Sequence, residues 1–430
     1  MTSAADNRIS IDVDQNEYLA EGARTAEAII TIEITDQLAI AEPPKERVEI
    51  IIIDCSGSMG AGDKFANARR ATLAALDVVA DGTRFVVVEG TDKAEVVYPK
   101  DAPSAVASQQ TRSAARHALD KLRPHGGTAM GTWLALARLV AQHHPDAMVH
   151  AILLTDGRNE HETTAELEAE IKASEGVFTC DCRGVGGDWM REDLDPIAFT
   201  LHGTLDIVKQ PHELAADFAS MMEVAMEKAI PELTLRVWTP VGARIVFVKQ
   251  VAPSIEDFTS RRTTGASEQI GEYPLGAWGT EERDYHITLD IEPAAPGREK
   301  LAARVWVVAD GEPLGEGKVK AVWTTDTELS ARISRRVAHY TGQAELADVI
   351  RQGLDARKAG DLVTATAKLQ RAVRLAAESG NDNTAKLLRA VVDVDERTGT
   401  ARLRAEIDKT DALALDVRSR KTARVRKEGS

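Results

Sequence analysis

The stretch that decides the fold is Val48-Glu-Ile-Ile-Ile-Ile-Asp54-Cys55-Ser56-Gly57-Ser58-Met59-Gly60. Its first six residues are nearly all apolar, the pattern of a strand buried on both faces of a sheet. The run stops in a polar loop that offers one carboxylate and two hydroxyls on alternate residues. Gly57 and Gly60 let such a loop fold tightly, so that these oxygens can converge. A helical pattern follows from Lys64 to about Ala80. In an open α/β sheet, ligands bind beyond the carboxyl ends of the strands, which is where this loop lies.

The same alternation continues outward. Phe85 to Val88 and Met148 to Thr155 read as further buried strands, and Ala94 to Tyr98 as a shorter one. Residues 103–122 and 129–143 and Thr163 to Ser174 have helical periodicity. Val177 to Val185 reads as a strand, 189–200 as a short helix and Thr204 to Val208 as a last strand. Pro211 to Ala229 is an amphipathic helix with proline at its start, where a missing N–H does no harm. Alternating strands and helices predict a mostly parallel, doubly wound α/β domain over residues 47–229.

The flanks differ. Residues 8–46 alternate polar and apolar, through Arg8-Ile-Ser-Ile-Asp-Val13 and Glu27 to Ile34, and stop at Pro43-Pro44. Residues 231–325 alternate again, as in Leu233-Thr-Leu-Arg-Val-Trp238 and Ala303 to Val308. Period-2 alternation predicts half-buried strands. A free-standing N-terminal segment would leave sheet edges exposed. The expectation is therefore one all-β sandwich built from both flanks, with the α/β domain inserted in it. Residues 327–430 read as a C-terminal helical bundle with a basic tail, broken at Gly360 and Gly380. Ala359 to Val373 resembles half of a tetratricopeptide repeat, but one unit does not make a solenoid.

Composition narrows the function. The 430 residues carry a net charge of −15 and 4% aromatics, which argues against nucleic acid and anionic membranes, since phosphate binding needs a basic surface. The local exception is the tail, with Arg418, Arg420, Lys421, Arg424, Arg426 and Lys427. A solvated tail is the simplest reading, and a docking arm for an acidic partner the sharper one. Three cysteines make no disulfide scaffold. The N-terminus has no apolar leader segment, and no apolar run approaches a membrane span. A reduced, cytoplasmic protein is expected.

Two further pieces complete the motif. Gly126-Gly127-Thr128-Ala129-Met130-Gly131 puts a hydroxyl at a loop-to-helix junction, and Leu153-Leu154-Thr155-Asp156-Gly157 a carboxylate at the end of another buried strand. The candidate ligands Asp54, Ser56, Ser58, Thr128 and Asp156 are all oxygen donors. Hard oxygens with few carboxylates suit Mg²⁺, which keeps some waters; ligand type alone admits Mn²⁺ too.

These five positions resemble the metal-ion-dependent adhesion site of von Willebrand factor A domains, as in integrin inserted domains. The resemblance implies that Ser56 and Ser58 bind the metal directly and Thr128 directly or through water. Asp54 and Asp156 act largely through water. The open position takes an Asp or Glu of a protein partner, and the protein is not an enzyme. The layout also resembles the inner vesicle-coat subunits of eukaryotes and bacterial, notably actinobacterial, cytoplasmic proteins of this family. There such genes are often associated with Ser/Thr kinases and phosphatases, so the resemblance implies a signalling scaffold. The alternatives are an accessory subunit of an ATP-driven, chelatase-type machine and, more remotely, a metal-dependent hydrolase. Oligomeric state is left open.

Other signals carry less. Gly57 to Lys64 imitates a P-loop, but Asp63 intervenes and Phe65 follows where a P-loop has Ser or Thr. Cys180 and Cys182 face the same way on a strand and read as buried hydrophobes. His125, three residues before Thr128, is the histidine nearest the motif in sequence; it, His143, His144 and His161 read as surface or loop histidines.

Overall fold

The computed structural model describes residues 9–36, 46–264, 267–395, 400–404 and 406–424. They form two compact units, divided at 41/42, 231/232, 407/408 and 417/418.

The central unit holds a seven-stranded sheet. Its order is Leu205–Val208, Thr179–Val185, Met148–Thr155, Arg47–Asp54, Arg84–Gly90 and Ala94–Tyr98, with Ala105–Val106 also on Arg84–Gly90. The first five strands are parallel, while Ala94–Tyr98 and Ala105–Val106 run antiparallel. Arg47–Asp54 has a partner on each side, and seven of its eight residues are buried; this is why the motif opens on an apolar run. Ile51, Ile53, Phe85, Val87, Ile152 and Leu154 form one core with residues of the helices Lys64–Val78 and Leu214–Glu227. The expected helix over 103–122 is shorter. Residues 105–106 pair with the sheet, and the helix Gln109–Leu119 starts at a reciprocal capping box between Ser108 and Thr111. The last helix opens with a 3₁₀ turn, Pro211–Glu213, before Leu214–Glu227.

The second unit has two sheets, and both draw strands from before and after the α/β domain. One is antiparallel throughout, in the order Ile9–Gln15, Thr25–Ile34, Glu282–Ile291, Ala243–Ala252, Glu256–Asp257. The other runs Thr263–Thr264, Ile270–Trp278, Ile230–Trp238, Glu299–Ala309, Glu312–Thr324, Tyr18–Ala20, the last pair parallel. Thr25–Ile34 is thus an inner strand whose backbone is paired on both sides. Pro43-Pro44 lies outside the described residues.

After a one-turn helix, Thr327–Ser330, come three longer ones, Arg335–Lys358, Leu362–Glu378 and Asp382–Val391. Gly360 and Gly380 sit in the left-handed region at φ 84° and 63°, where glycine ends a helix without strain. The reading of 327–430 as helical throughout is corrected beyond Val391. Val392–Asp395 and Thr400–Leu403 pair antiparallel; Val-Asp-Val-Asp alternates with period two, which a helix cannot use. The helix Lys409–Arg418 is grouped through Val417 with the central unit, where Asp411 pairs with Lys209 at 2.7 Å and Asp416 with Arg191 at 2.6 Å. The solvated-tail reading is corrected too. Thr422 N–H donates to the Pro253 carbonyl at 3.0 Å, and Arg424 pairs with Glu282 at 2.8 Å and with buried Asp284 at 3.2 Å. Arg424 of the basic run thus meets acids of its own chain, and Arg420 Nε donates to the Ile255 carbonyl at 3.2 Å. Arg426 and Lys427 lie outside the described residues. No helix among those described is long and apolar enough to cross a membrane.

Candidate metal centre

The site is built at the carboxyl edge of the central sheet, from the loops that follow Arg47–Asp54 and Met148–Thr155 and the loop that joins the helices Gln109–Leu119 and Met130–Gln142. Asp54 ends its strand opposite Gly90, and the chain is then pinned on both sides. Cys55 N–H donates to the Gly90 carbonyl at 2.8 Å, His125 N–H to the Cys55 carbonyl at 2.6 Å, and Gly57 N–H to the Gly126 carbonyl at 3.1 Å. The loops carrying Ser56 and Thr128 are thereby stitched by backbone hydrogen bonds.

The side chains interlock within this frame. Asp54 accepts from Ser56 N–H at 2.7 Å and from Thr155 Oγ1 at 2.5 Å. Ser56 Oγ and Ser58 Oγ lie 3.0 Å apart, and Ser58 Oγ donates to Asp156 Oδ1 at 2.7 Å. A β-carbon placed on Gly157 would stand 3.2 Å from Thr128 Oγ1, 3.4 Å from Ser58 Oγ and 3.9 Å from Asp54 Oδ2. Oxygens from three loops therefore face one small volume, kept open by a residue without a side chain. All five residues named from the sequence meet here. Asp54 and Asp156 are fully buried, Ser56 and Thr128 nearly so, and Ser58 is exposed at the mouth.

The electrostatics ask for a cation. Burial pushes Asp54 up to about 6, and the nearby charge of Asp156 adds to it, against hydrogen bonds from Ser56 and Thr155. Among the described residues, the one cationic side chain at these two buried carboxylates is Lys64 on Asp156, which leaves Asp54 without a counter-charge that a bound dication would supply. The donor set is two carboxylates and three hydroxyls with no imidazole or thiolate. Burial holds the Cys55 thiol far above its usual range, and Cys55, Cys180 and Cys182 are buried free thiols. This chemistry fits a hard, oxygen-seeking ion.

The sequence reading missed three residues. Lys64 Nζ reaches Asp156 Oδ2 at 2.5 Å and Asp188 at 3.6 Å, so the lysine that seemed part of a failed P-loop is a tethered counter-charge. Asp188 and His161 line the open cleft over the site, a volume of about 350 Å³ that also takes in Arg158 and Glu160. His161, not His125, is the histidine at the site. The available signal was its place five residues after Asp156, on the same loop.

A sequence profile for the von Willebrand factor type A domain matches residues 50–159, and one for the von Willebrand factor type A C-terminal domain matches residues 374–419. The chain is 48% identical to a solved structure, a von Willebrand factor type A protein from Catenulispora acidiphila, over 99% of both chains, with a TM-score of 0.93. An ArnB paralog, VWA2, from Sulfolobus acidocaldarius superposes over 96% of this chain and 98% of its own at TM-score 0.58 and 12% identity. The human COPII-coat protein Sec24c does so over 93% of this chain and 60% of its own, at 0.54 and 9%. At those identities the likeness is one of fold. From the two profiles and the full-length match at 48% identity, the chain belongs to the von Willebrand factor type A family.

Proposed function

We propose that this protein is a non-catalytic scaffold that captures a partner protein through a divalent cation. Asp54, Ser56, Ser58, Thr128 and Asp156 hold Mg²⁺, and an Asp or Glu of the partner completes its coordination. The observation that carries this reading is the convergence of Ser58, Thr128 and Asp54 oxygens beside Gly157 at the floor of an open cleft. Proteins of this family mostly act as interaction modules, many of them metal-dependent. When bound, the cation supplies a Lewis-acidic centre for a carboxylate. The chain's own residues preset the seat: Thr155 and Ser56 orient Asp54, Ser58 and Lys64 orient Asp156, and the Gly57–Gly126 bond fixes the spacing of the loops.

In this reading residues 8–46 and 231–325 form one sandwich around the inserted domain, which the shared sheets support. The helices beyond 327 present further surface. Three free thiols agree with a reducing, cytoplasmic compartment. A place in bacterial kinase–phosphatase signalling rests on family resemblance.

The test is a pull-down from the source cell with wild type and with Asp54→Ala/Ser56→Ala, eluting with EDTA. A partner released by EDTA and absent from the variant supports the metal-bridged contact. Partners indifferent to both would sink it.

A further inference from the structure

We propose that His161 is the second point of attachment for the bound carboxylate, its Nε2–H donating to the oxygen that the cation leaves free. This inference rests on the cation-dependent reading above and names the residue that gives the seat its preference for carboxylate.

His161 is fastened to the candidate ligand Thr128 twice. Its backbone N–H donates to the Thr128 carbonyl at 3.0 Å, and its Nδ1 accepts from the Thr128 N–H at 3.1 Å. An imidazole nitrogen that accepts carries no proton, so the neutral ring bears its proton on Nε2. Nε2 makes no hydrogen bond with another described residue, although the ring borders the cleft over the metal seat. The ring lies flat on Gly127: a β-carbon there would come within 2.2 Å of Nδ1 and Cε1 and 2.3 Å of Nε2. Glycine at 127 is what lets the imidazole lie against the loop that carries Thr128. His161 also borders an adjoining groove of about 610 Å³, lined by Asp92, Thr132, Leu139 and Glu162, and is the residue common to both clefts.

A carboxylate that gives one oxygen to a cation keeps a second with full acceptor capacity. A donor mounted on the loop of Thr128 satisfies it without reorganisation, and a hydrogen bond to a charged acceptor is among the stronger ones. Arg158 also lines the cleft and is exposed, as His161 is, but its guanidinium Nε donates to the Asp188 carbonyl at 3.3 Å, whereas the imidazole is fastened to Thr128. The imidazole is the fixed donor.

The experiment uses the full chain with Mn²⁺ as the metal and ¹³C-acetate as the probe. Mn²⁺ affinity is read by calorimetry, and acetate affinity by paramagnetic broadening of its resonances. His161→Leu and Gly127→Ala are expected to bind Mn²⁺ within twofold of wild type but acetate roughly tenfold more weakly. His161→Gln, which retains an N–H donor, should recover most of the loss. Undiminished acetate affinity in His161→Leu overturns the inference and leaves the cation site standing. So does a loss confined to Arg158→Gln, which would give the role to the guanidinium. A wild-type protein that binds no Mn²⁺ overturns the proposed function as well.

Discussion

Replacing His150 by Gln should destabilise the central unit by about 3 kcal/mol at pH 6.5 and much less at pH 9.5. His150 lies inside the sheet between two carboxylates: Nδ1 meets Glu49 at 2.7 Å and Nε2 meets Asp181 at 2.9 Å. Glu49 is fully buried, and its other oxygen has no hydrogen bond. Burial alone would depress the imidazole, but the charge of Glu49 and the hydrogen bonds of Asp181 and Glu49 outweigh it, raising His150 from 6.5 to about 9. That rise is worth about 3 kcal/mol, at about 1.4 kcal/mol per pH unit. A folded-state pKa above the unfolded value stabilises fully below pH 6.5, and the gain is lost as pH rises through about 9. Above that, wild type and His150→Gln both carry a neutral group, so their stabilities converge. All three cysteines lie in the central unit and are buried, so pulsed thiol labelling across a urea series reports that unit alone. A difference between the proteins that stays constant from pH 6.5 to 9.5 would refute the charge argument and leave only a packing effect.

Four further outcomes are expected. Mg²⁺ should raise the melting temperature of the wild type, and Asp54→Ala should abolish that rise; a rise that persists in the variant would place the cation elsewhere. Lys64→Gln frees Asp156 and removes a positive charge beside the seat, so calorimetry should find Mg²⁺ bound about tenfold more tightly; unchanged affinity would mean that the ammonium simply steps aside. Gly184→Ala puts a β-carbon 2.0 Å from the buried ring of Trp189 and should cost about 2–3 kcal/mol in thiol-protection denaturation. Asp284→Asn removes the charge that faces Arg336 at 2.7 Å and Arg424 at 3.2 Å and should cost about 3 kcal/mol, with hydrogen exchange rising first along Glu282–Ile291.

How much of this was legible depended on how local each signal is. Asp54, Ser56 and Ser58 occupy one loop behind an unmistakable buried strand, so position and chemistry could be read together. Thr128 and Asp156 each stand at an edge that hydrophobic periodicity marks. Pairing of Thr25–Ile34 with Glu282–Ile291 could be anticipated only because unpaired edges are unfavourable, an argument that gives the partner segment but no register. Lys64 and Asp188 were out of reach because chain closure, which no periodicity encodes, brings them to the cleft, whereas His161 left a trace only in its closeness in sequence to Asp156. The antiparallel pair Val392–Asp395 and Thr400–Leu403 was hidden among helices, each strand only four residues long.

The buried ion network shows where a closer reading of the same residues would have gone further. Val48 to Ile53 and Met148 to Thr155 were read as buried apolar strands and Val177 to Val185 as a further strand, and that pattern set the fold. Each nevertheless carries a titratable residue at an interior position: Glu49, His150 and Asp181. A charge inside a strand buried on both faces is prohibitively costly unless something pairs it. The strands are sheet neighbours, with Glu49 directly opposite His150 in register. Treated as demands for partners instead of blemishes in the pattern, Glu49, His150 and Asp181 would have specified which strands adjoin and how they align. Hydrophobic runs show that a strand is buried; the polar residue that interrupts one constrains what lies beside it.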